Sequence, residues 1–315
     1  MRPSGTSTRR VHLILLGVPV VWGVNYAVIK GALLDFDPLA FNAIRFTLAT
    51  LTIWLLFRRL GAPVRIPRQR FSSLILLGLL GNAVYQVLFI EGIARTTASN
   101  ASLIMAAVPV AVAVLGTVLT GDRLRISGWA GVVVAGCGIV LLLTAREGGG
   151  YVRGNLVGDA LMLAAAASWA LYTVLGATIM ARTPSLGATL ATFLGGTPVL
   201  VLVALPSLVR QDWKAVGVVG WAGVVFSGVV AIGLAYLAWN TGLAAIGGAR
   251  TAVYSNLTPV IAATVAWLTL GERWGAGQFL GAAAVLAGIT LTRRGIHHPG
   301  DAPPGPTALT RFSAG

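Results

Sequence analysis

The chain has 315 residues, 56% hydrophobic and only 10% charged, with a formal net charge of +14 at pH 7 and a mean hydropathy of +0.83. This composition excludes an ordinary soluble domain and makes the bilayer the solvent against which the sequence is read. The positive charge lies in breaks between apolar stretches rather than on one soluble face, which excludes a nucleic-acid-binding surface.

A helix needs about 20 mostly apolar residues to cross about 30 Å of hydrocarbon. Ten such stretches follow in chain order, at 11–29, 39–57, 74–93, 101–119, 127–144, 156–180, 188–209, 216–241, 251–270 and 276–291. Basic residues precede the first stretch, as in a signal peptide. The run continues into Trp22 and Tyr26 without a small-residue cleavage site, so it is predicted to be a retained helix. From about Gly295 onward Pro, Gly, His and Asp replace the apolar pattern, which predicts a disordered tail. With a cytoplasmic N-terminus, 15 Lys and Arg fall in inside segments and seven in outside segments. The positive-inside rule then places both termini in the cytoplasm of a multi-pass cell-membrane protein. Arg outnumbers Lys 21 to 2, a composition that suits a GC-rich bacterium and hence a bacterial inner membrane. Cys137 is the sole cysteine, and His12, His297 and His298 are scattered, so neither a metal site nor a cofactor is expected.

The chain is one unit written twice. Gly78, Gly92, Pro109, Gly121, Arg123, Gly131 and Gly138 recur 150 positions later as Gly228, Gly242, Pro259, Gly271, Arg273, Gly281 and Gly288. The predicted organisation is an N-terminal segment 1–10, a first five-helix repeat 11–146, a linker 147–155, a second repeat 156–292 and the tail 293–315. An odd number of crossings inverts the second copy. The expected fold is therefore an all-α integral membrane protein of ten transmembrane helices, two inverted five-helix repeats around a central cavity. Pro109 and Pro259 each remove a backbone donor at equivalent depth, either flanking that cavity as a kinked pair or serving as packing kinks. Ser127 with Gly131, and Gly277 with Gly281, have the spacing for close helix contact. Gly121-Asp122-Arg123 and Gly271-Glu272-Arg273 are predicted to shape chain reversals.

Polar groups at membrane depth are costly unless paired or hydrated, so they are the site candidates. Trp22, Asn25 and Tyr26 share one broad face of the first helix. Asn25 either hydrogen-bonds a solute or bridges two helices. Tyr85 and Gln86 align through the repeat with Ala235 and Tyr236, which sets Gln86 and Tyr236 on opposite sides of the expected cavity. Trp239 and Asn240, and Tyr254 with Asn256, add aromatic and amide groups. Such a lining suits an amphipathic solute, although for each residue singly packing or helix bridging is an equal alternative. Among charges, Glu91, Asp159 and Arg45 are the embedded ones. Glu91 either carries a coupling proton or pairs with Arg95 four residues on, and Arg45 either meets an acidic solute or a helix carboxylate or snorkels outward.

Several motifs together resemble a known family. Trp22-Gly23-x-Asn25, Pro38 followed by Arg45, Ala94-x-x-Thr97-x-x-x-Ala101, Pro109 and Gly121-Asp122-Arg123-Leu124 resemble the first EamA domain of the drug/metabolite transporter superfamily. Trp169 with Tyr172, Pro259, Gly271-Glu272-Arg273 and Gly281 resemble its second copy, over roughly residues 13–291. Trp169 and Tyr172 join the site candidates through this resemblance. The chain departs from the pattern in having Asp122 rather than Glu, and in that Trp169-Ala170-Leu171-Tyr172 lacks the Gly and Asn of the first copy. The resemblance implies a secondary transporter that exports small metabolites such as amino acids and related compounds; Asn25, Gln86 and Trp239 add amphipathic or aromatic compounds to the expected cargo, and scattered histidines and carboxylates argue against an enzyme. Alternating access, driven by a proton or counter-substrate, completes that expectation. No GxxxxGK[ST] motif is present, so ATP hydrolysis is not expected. A membrane enzyme acting on lipid-linked substrates and a scaffold or sensor are the alternatives.

Overall fold

The computed structural model describes residues 8–60, 68–119, 123–144, 153–181, 183–272 and 275–297. The turn at Asp122, residues 1–7, the first part of the linker and the tail beyond His297 lie outside the described residues.

Eight helices among the described residues are long and apolar enough to cross a membrane. They are α1 (Arg9–Ala32), α2 (Pro38–Leu60), α3 (Arg70–Arg95), α4 (Ala98–Leu119), α6 (Leu156–Met180), α7 (Ser185–Arg210), α8 (Val218–Ile246) and α9 (Gly248–Leu270). Two shorter apolar helices, α5 (Ile126–Leu141) and α10 (Ala276–Thr292), complete five per half. The molecule is thus an all-helical membrane protein with the expected duplication. Local chemistry explains several boundaries. Asp37 caps α2 by accepting from the Leu39 N–H at 2.9 Å, and Pro38 takes the first helical position, where its missing donor costs nothing. Gly271 ends α9 in the left-handed region at φ 67°.

Each half packs mainly on the other. α1 lies against α8 and α9, and its repeat counterpart α6 lies against α3 and α4; α2 and α7 face each other. Lipid tails are as apolar as leucine, so helices associate by close backbone approach and polar bonds rather than by hydrophobic expulsion. The tightest pair is α5 with α10. A Cβ placed on Gly131 would lie 2.5 Å from the Gly288 carbonyl, and one on Gly138 would lie 2.8 Å from that of Gly281. Numbers rise along one helix as they fall along the other, so the pair is antiparallel. Gly131 and Gly281 are repeat equivalents, as are Gly138 and Gly288, so a two-fold axis runs between them. A two-residue antiparallel bridge, Arg123–Leu124 with Ile296–His297, extends the pair. The repeated Gly78 and Gly228 serve the same end: a Cβ there would meet the Thr192 carbonyl of α7 at 2.0 Å and the Arg45 carbonyl of α2 at 2.8 Å.

The proline pair interrupts rather than merely bends its helices. α4 breaks between Met105 and Val108, and α9 passes through a 3₁₀ segment, Val253–Leu257, so that each proline becomes the second residue of a fresh helix. α3 and α8 carry a second matched irregularity, π-helical segments at Leu79–Val84 and Phe226–Leu234. Proline and small residues advertise the first irregularity. Nothing in an apolar run distinguishes a π turn from an α turn, so the second is invisible in the sequence.

Replacing Gly131 with Leu is expected to lower stability by about 1–3 kcal/mol through overpacking. Gly136, where a Cβ would have nothing within 4 Å, is expected to accept Leu with little change. Thermal unfolding of the two variants in one detergent checks the contrast.

Candidate functional site

Seven helices from both halves enclose a cavity of about 60 Å³ near the middle of the bundle. That volume holds a few water molecules, so a metabolite needs the walls to part. α1 contributes Trp22, Asn25 and Tyr26; α2 Arg45; α3 Tyr85, Gln86 and Phe89; α6 Trp169; and α8 Ala231, Ile232 and Tyr236. The broken stretches of α4 and α9 bring Met105 and Ser255, which are repeat equivalents four residues before Pro109 and Pro259. The prolines themselves stand behind this wall.

The polar floor is a connected network. Arg45, 1% exposed, donates from Nε to Asn42 Oδ1 at 2.8 Å, from Nη1 to Ser227 Oγ at 3.0 Å and from Nη2 to Gln86 Oε1 at 2.9 Å. Gln86 Nε2 donates to Tyr236 Oη at 2.5 Å, and Asn42 Nδ2 donates to the Gln86 carbonyl at 3.0 Å. The expectation that Gln86 and Tyr236 flank the cavity from opposite sides is corrected here: they meet. Equivalent positions of two copies touch only beside the axis, and two polar groups at that depth satisfy each other. Arg45 is buried and bound to neutral oxygens, which removes both the snorkelling and the helix-carboxylate readings.

Aromatic rings form the remaining wall. Trp169 lies 4.8 Å from Tyr85, 5.1 Å from Tyr236 and 5.8 Å from Trp22 between centroids, and stacks on Tyr172 at 4.9 Å and 13°. The π segments position these rings. The Ala231 carbonyl in one accepts from Trp22 Nε1 at 2.9 Å, and the Leu80 carbonyl in the other accepts from Ser168 Oγ at 3.3 Å. In each case a wide turn offers a carbonyl to the first helix of the opposite copy. Asn25 Oδ1 is buried and without a hydrogen-bond partner.

Other candidates stand outside the lining. Tyr172 donates to Asn240 Oδ1 at 2.9 Å, in a satellite network that continues from Asn240 Nδ2 to Thr189 Oγ1 at 3.0 Å. Trp239 is fully buried behind Trp22, 5.1 Å away, and Asn256 lies in the 3₁₀ segment of α9. Glu91 forms an ion pair with Arg95 one turn on, with the Arg95 side chain 42% exposed, away from the cavity wall.

Sequence reasoning overlooked three groups. Asn42 and Ser227 hold Arg45, and only the three-residue spacing of Asn42 from Arg45 hinted at it. Around the α3–α4 turn, Lys30 Nζ donates to the carbonyls of Ile93 and Thr96, at 3.2 and 2.8 Å, and Thr96 Oγ1 donates to Asp159 Oδ1 at 2.7 Å. Glu272, whose backbone N–H donates to the Ala266 carbonyl in the turn that ends α9, also caps α4, its side chain accepting from the N–H groups of Ala98 at 2.8 Å and Ser99 at 2.9 Å. Toward the other end of the bundle, His12 hydrogen-bonds Tyr254. A larger groove of about 660 Å³ lies between α4, α9 and α10. It is apolar and edged by Trp267, 61% exposed, and Phe279, 60% exposed, so at membrane depth it belongs to the lipid-facing surface.

The sequence profile of the EamA-like transporter family matches residues 9–144 and again 156–294. The chain is 28% identical over 291 residues to an uncharacterized transporter of Bacillus subtilis, covering 91% of this chain and 94% of that one. It is 29% identical over 288 residues to a probable terminal-alkyne amino-acid exporter of Streptantibioticus cattleyicolor, with 91% and 94% covered. A probable amino-acid metabolite efflux pump of Escherichia coli is 28% identical over 302 residues, with 92% and 96% covered. A solved crystal structure superposes with a TM-score of 0.69 at 20% identity over 90% of this chain and 98% of that one, a likeness of fold.

Replacing Gln86 with Leu is expected to destabilise the protein by about 1–3 kcal/mol, because it strips an acceptor from a buried guanidinium. Denaturant titration in detergent, with Thr264→Val on the lipid face as control, measures this.

Proposed function

The chain belongs to the EamA-like transporter family, and from that premise we propose that it is a secondary transporter exporting small organic metabolites by alternating access. The observation that carries this reading is the polar and aromatic cavity on the axis between two copies, buried at membrane depth and walled by both. Polar side chains there are expensive, and a solute path accounts for them. Two antiparallel copies give two shapes of similar energy, each half taking in turn the conformation of the other. The broken helices at Met105 and Ser255 and the π segments supply weak points where the walls part.

The names of the Streptantibioticus and Escherichia coli relatives support export and amino-acid-like cargo, and transporter names among relatives support transport over catalysis. The aromatic lining suits a solute with a flat apolar body. A proton or a counter-solute drives the cycle. Following the positive-inside asymmetry, we place both termini in the cytoplasm and the protein in a bacterial inner membrane.

Proteoliposomes loaded with radiolabelled amino acids and aromatic acids test the function. Flux above protein-free vesicles is expected, and Asn25→Leu, which removes an unpartnered acceptor without disturbing packing, is expected to reduce it roughly tenfold. Absence of flux across the whole panel overturns the reading. Sidedness is tested in a Cys137→Ser background: Arg123→Cys and Arg273→Cys are expected to label from opposite faces, and labelling from one face removes the inverted arrangement.

A further inference from the structure

We propose that Arg45 is the anion subsite of the cavity, holding the carboxylate of a solute whose hydrogen-bond donor is received by Asn25 Oδ1. This rests on the transport reading above and deepens it by assigning the cargo's charge to named residues.

A guanidinium has five N–H groups in one plane. Arg45 uses three, on Asn42, Ser227 and Gln86, all neutral acceptors. One N–H on each terminal nitrogen is left. Those bonds satisfy donors without cancelling charge. Among the described residues no carboxylate forms an ion pair with Arg45, and the Phe41 ring, 5.2 Å from its central carbon, compensates only weakly. A full positive charge held out of water at membrane depth calls for an anion.

Arg45 also lines the cavity beside Gln86 and Tyr236, so the anion has somewhere to sit. A carboxylate carries one negative charge and two oxygens, matching the one positive charge and the two remaining donors. A phosphate dianion would leave net charge buried. The charge is not part of the duplicated scaffold, because the counterpart of Arg45 is Thr192: Gly228 packs on the Arg45 carbonyl as its twin Gly78 packs on that of Thr192.

A second observation points the same way. Asn25 is 7% exposed, lines the same cavity and has an acceptor oxygen with no partner. Buried acceptors without donors are rare in native proteins, and this one belongs to a residue of the cavity wall. An ammonium, hydroxyl or amide N–H on the carboxylate-bearing solute completes it. Trp22 and Trp169 offer flat faces to the rest of the molecule.

The test uses the full-length protein in detergent with three probes that share a phenylethyl body: 3-phenylpropionate, phenethylamine and L-phenylalanine, each titrated against the thermal midpoint. The two carboxylates are expected to stabilise the wild type, and phenethylamine is not. Arg45→Gln is expected to weaken the carboxylate response about tenfold or more, with Arg45→Lys between the two. Asn25→Leu is expected to weaken the response to L-phenylalanine and spare that to 3-phenylpropionate, which has no donor for it. Equal stabilisation by phenethylamine and 3-phenylpropionate, no response to either carboxylate, or an undiminished response in Arg45→Gln overturns the proposal. An arginine that serves only to join helices would lower every midpoint without selecting ligands by charge. The wild-type comparison decides the charge preference even if Arg45→Gln fails to fold. Flux of cationic or neutral solutes without carboxylate binding removes the anion subsite and leaves the transport reading, whereas carboxylate binding with no flux of any solute does the reverse.

Discussion

The two copies of the repeat are joined along a line where equivalent residues touch. Gln86 donates to Tyr236, its counterpart, and the glycines of α5 and α10 interlock in the order that an antiparallel two-fold demands. Without a hydrophobic drive between helices in lipid, these contacts carry the association, and everything else is arranged around them. α1 and α6 each insert into the opposite half, and the rings they carry, Trp22 and Trp169, meet over the axis at 5.8 Å. The cavity is what remains between contacts that must be close and rings that cannot be.

Against that symmetry stands an uneven distribution of charge. Arg45 in the first copy is answered by Thr192 in the second, and Lys30, on the spacing that pairs Trp22 with Trp169, by Ala177. The network around Arg45 therefore has only a neutral analogue, the Tyr172–Asn240–Thr189 chain. The α3–α4 turn is held by bonds from α1, α6 and the α9–α10 turn, through Lys30, Asp159 and Glu272. The α8–α9 turn, its repeat counterpart, runs through Gly247 at φ 83° and has no equivalent lysine. The scaffold is doubled, and the electrostatics are not.

Much of the fold was legible because a bilayer imposes length and apolarity that a sequence cannot disguise, and because glycine and proline punctuate it at a fixed interval. Trp22, Asn25, Tyr26, Arg45, Tyr85, Gln86 and Tyr236 are marked by cost, being polar or amphipathic where either is expensive, and Trp169 by the family motif; the cavity gathers them all. Pairings were not legible. Residue spacing reports neighbours on one helix, whereas Ser227 on Arg45, Glu272 on Ala98 and Trp22 on Ala231 join residues 182, 174 and 209 apart. The π segments escaped for another reason: in helices surrounded by apolar neighbours, one extra residue per turn leaves the hydrophobic pattern unchanged. For Glu91 the spacing offered a coupling proton or a pair with Arg95, and the pair is formed.

The π segments also tie the stability of each half to the other. They fall at matching places, Leu79–Val84 and Phe226–Leu234, and each lends a carbonyl to the first helix of the other copy. A wide turn leaves a carbonyl open on its flank, and here each one is closed by a donor from the opposite copy, Trp22 for one and Ser168 for the other. The irregularity in either half is therefore satisfied only while the other half stands beside it, and a movement that parts the two copies must release both bonds.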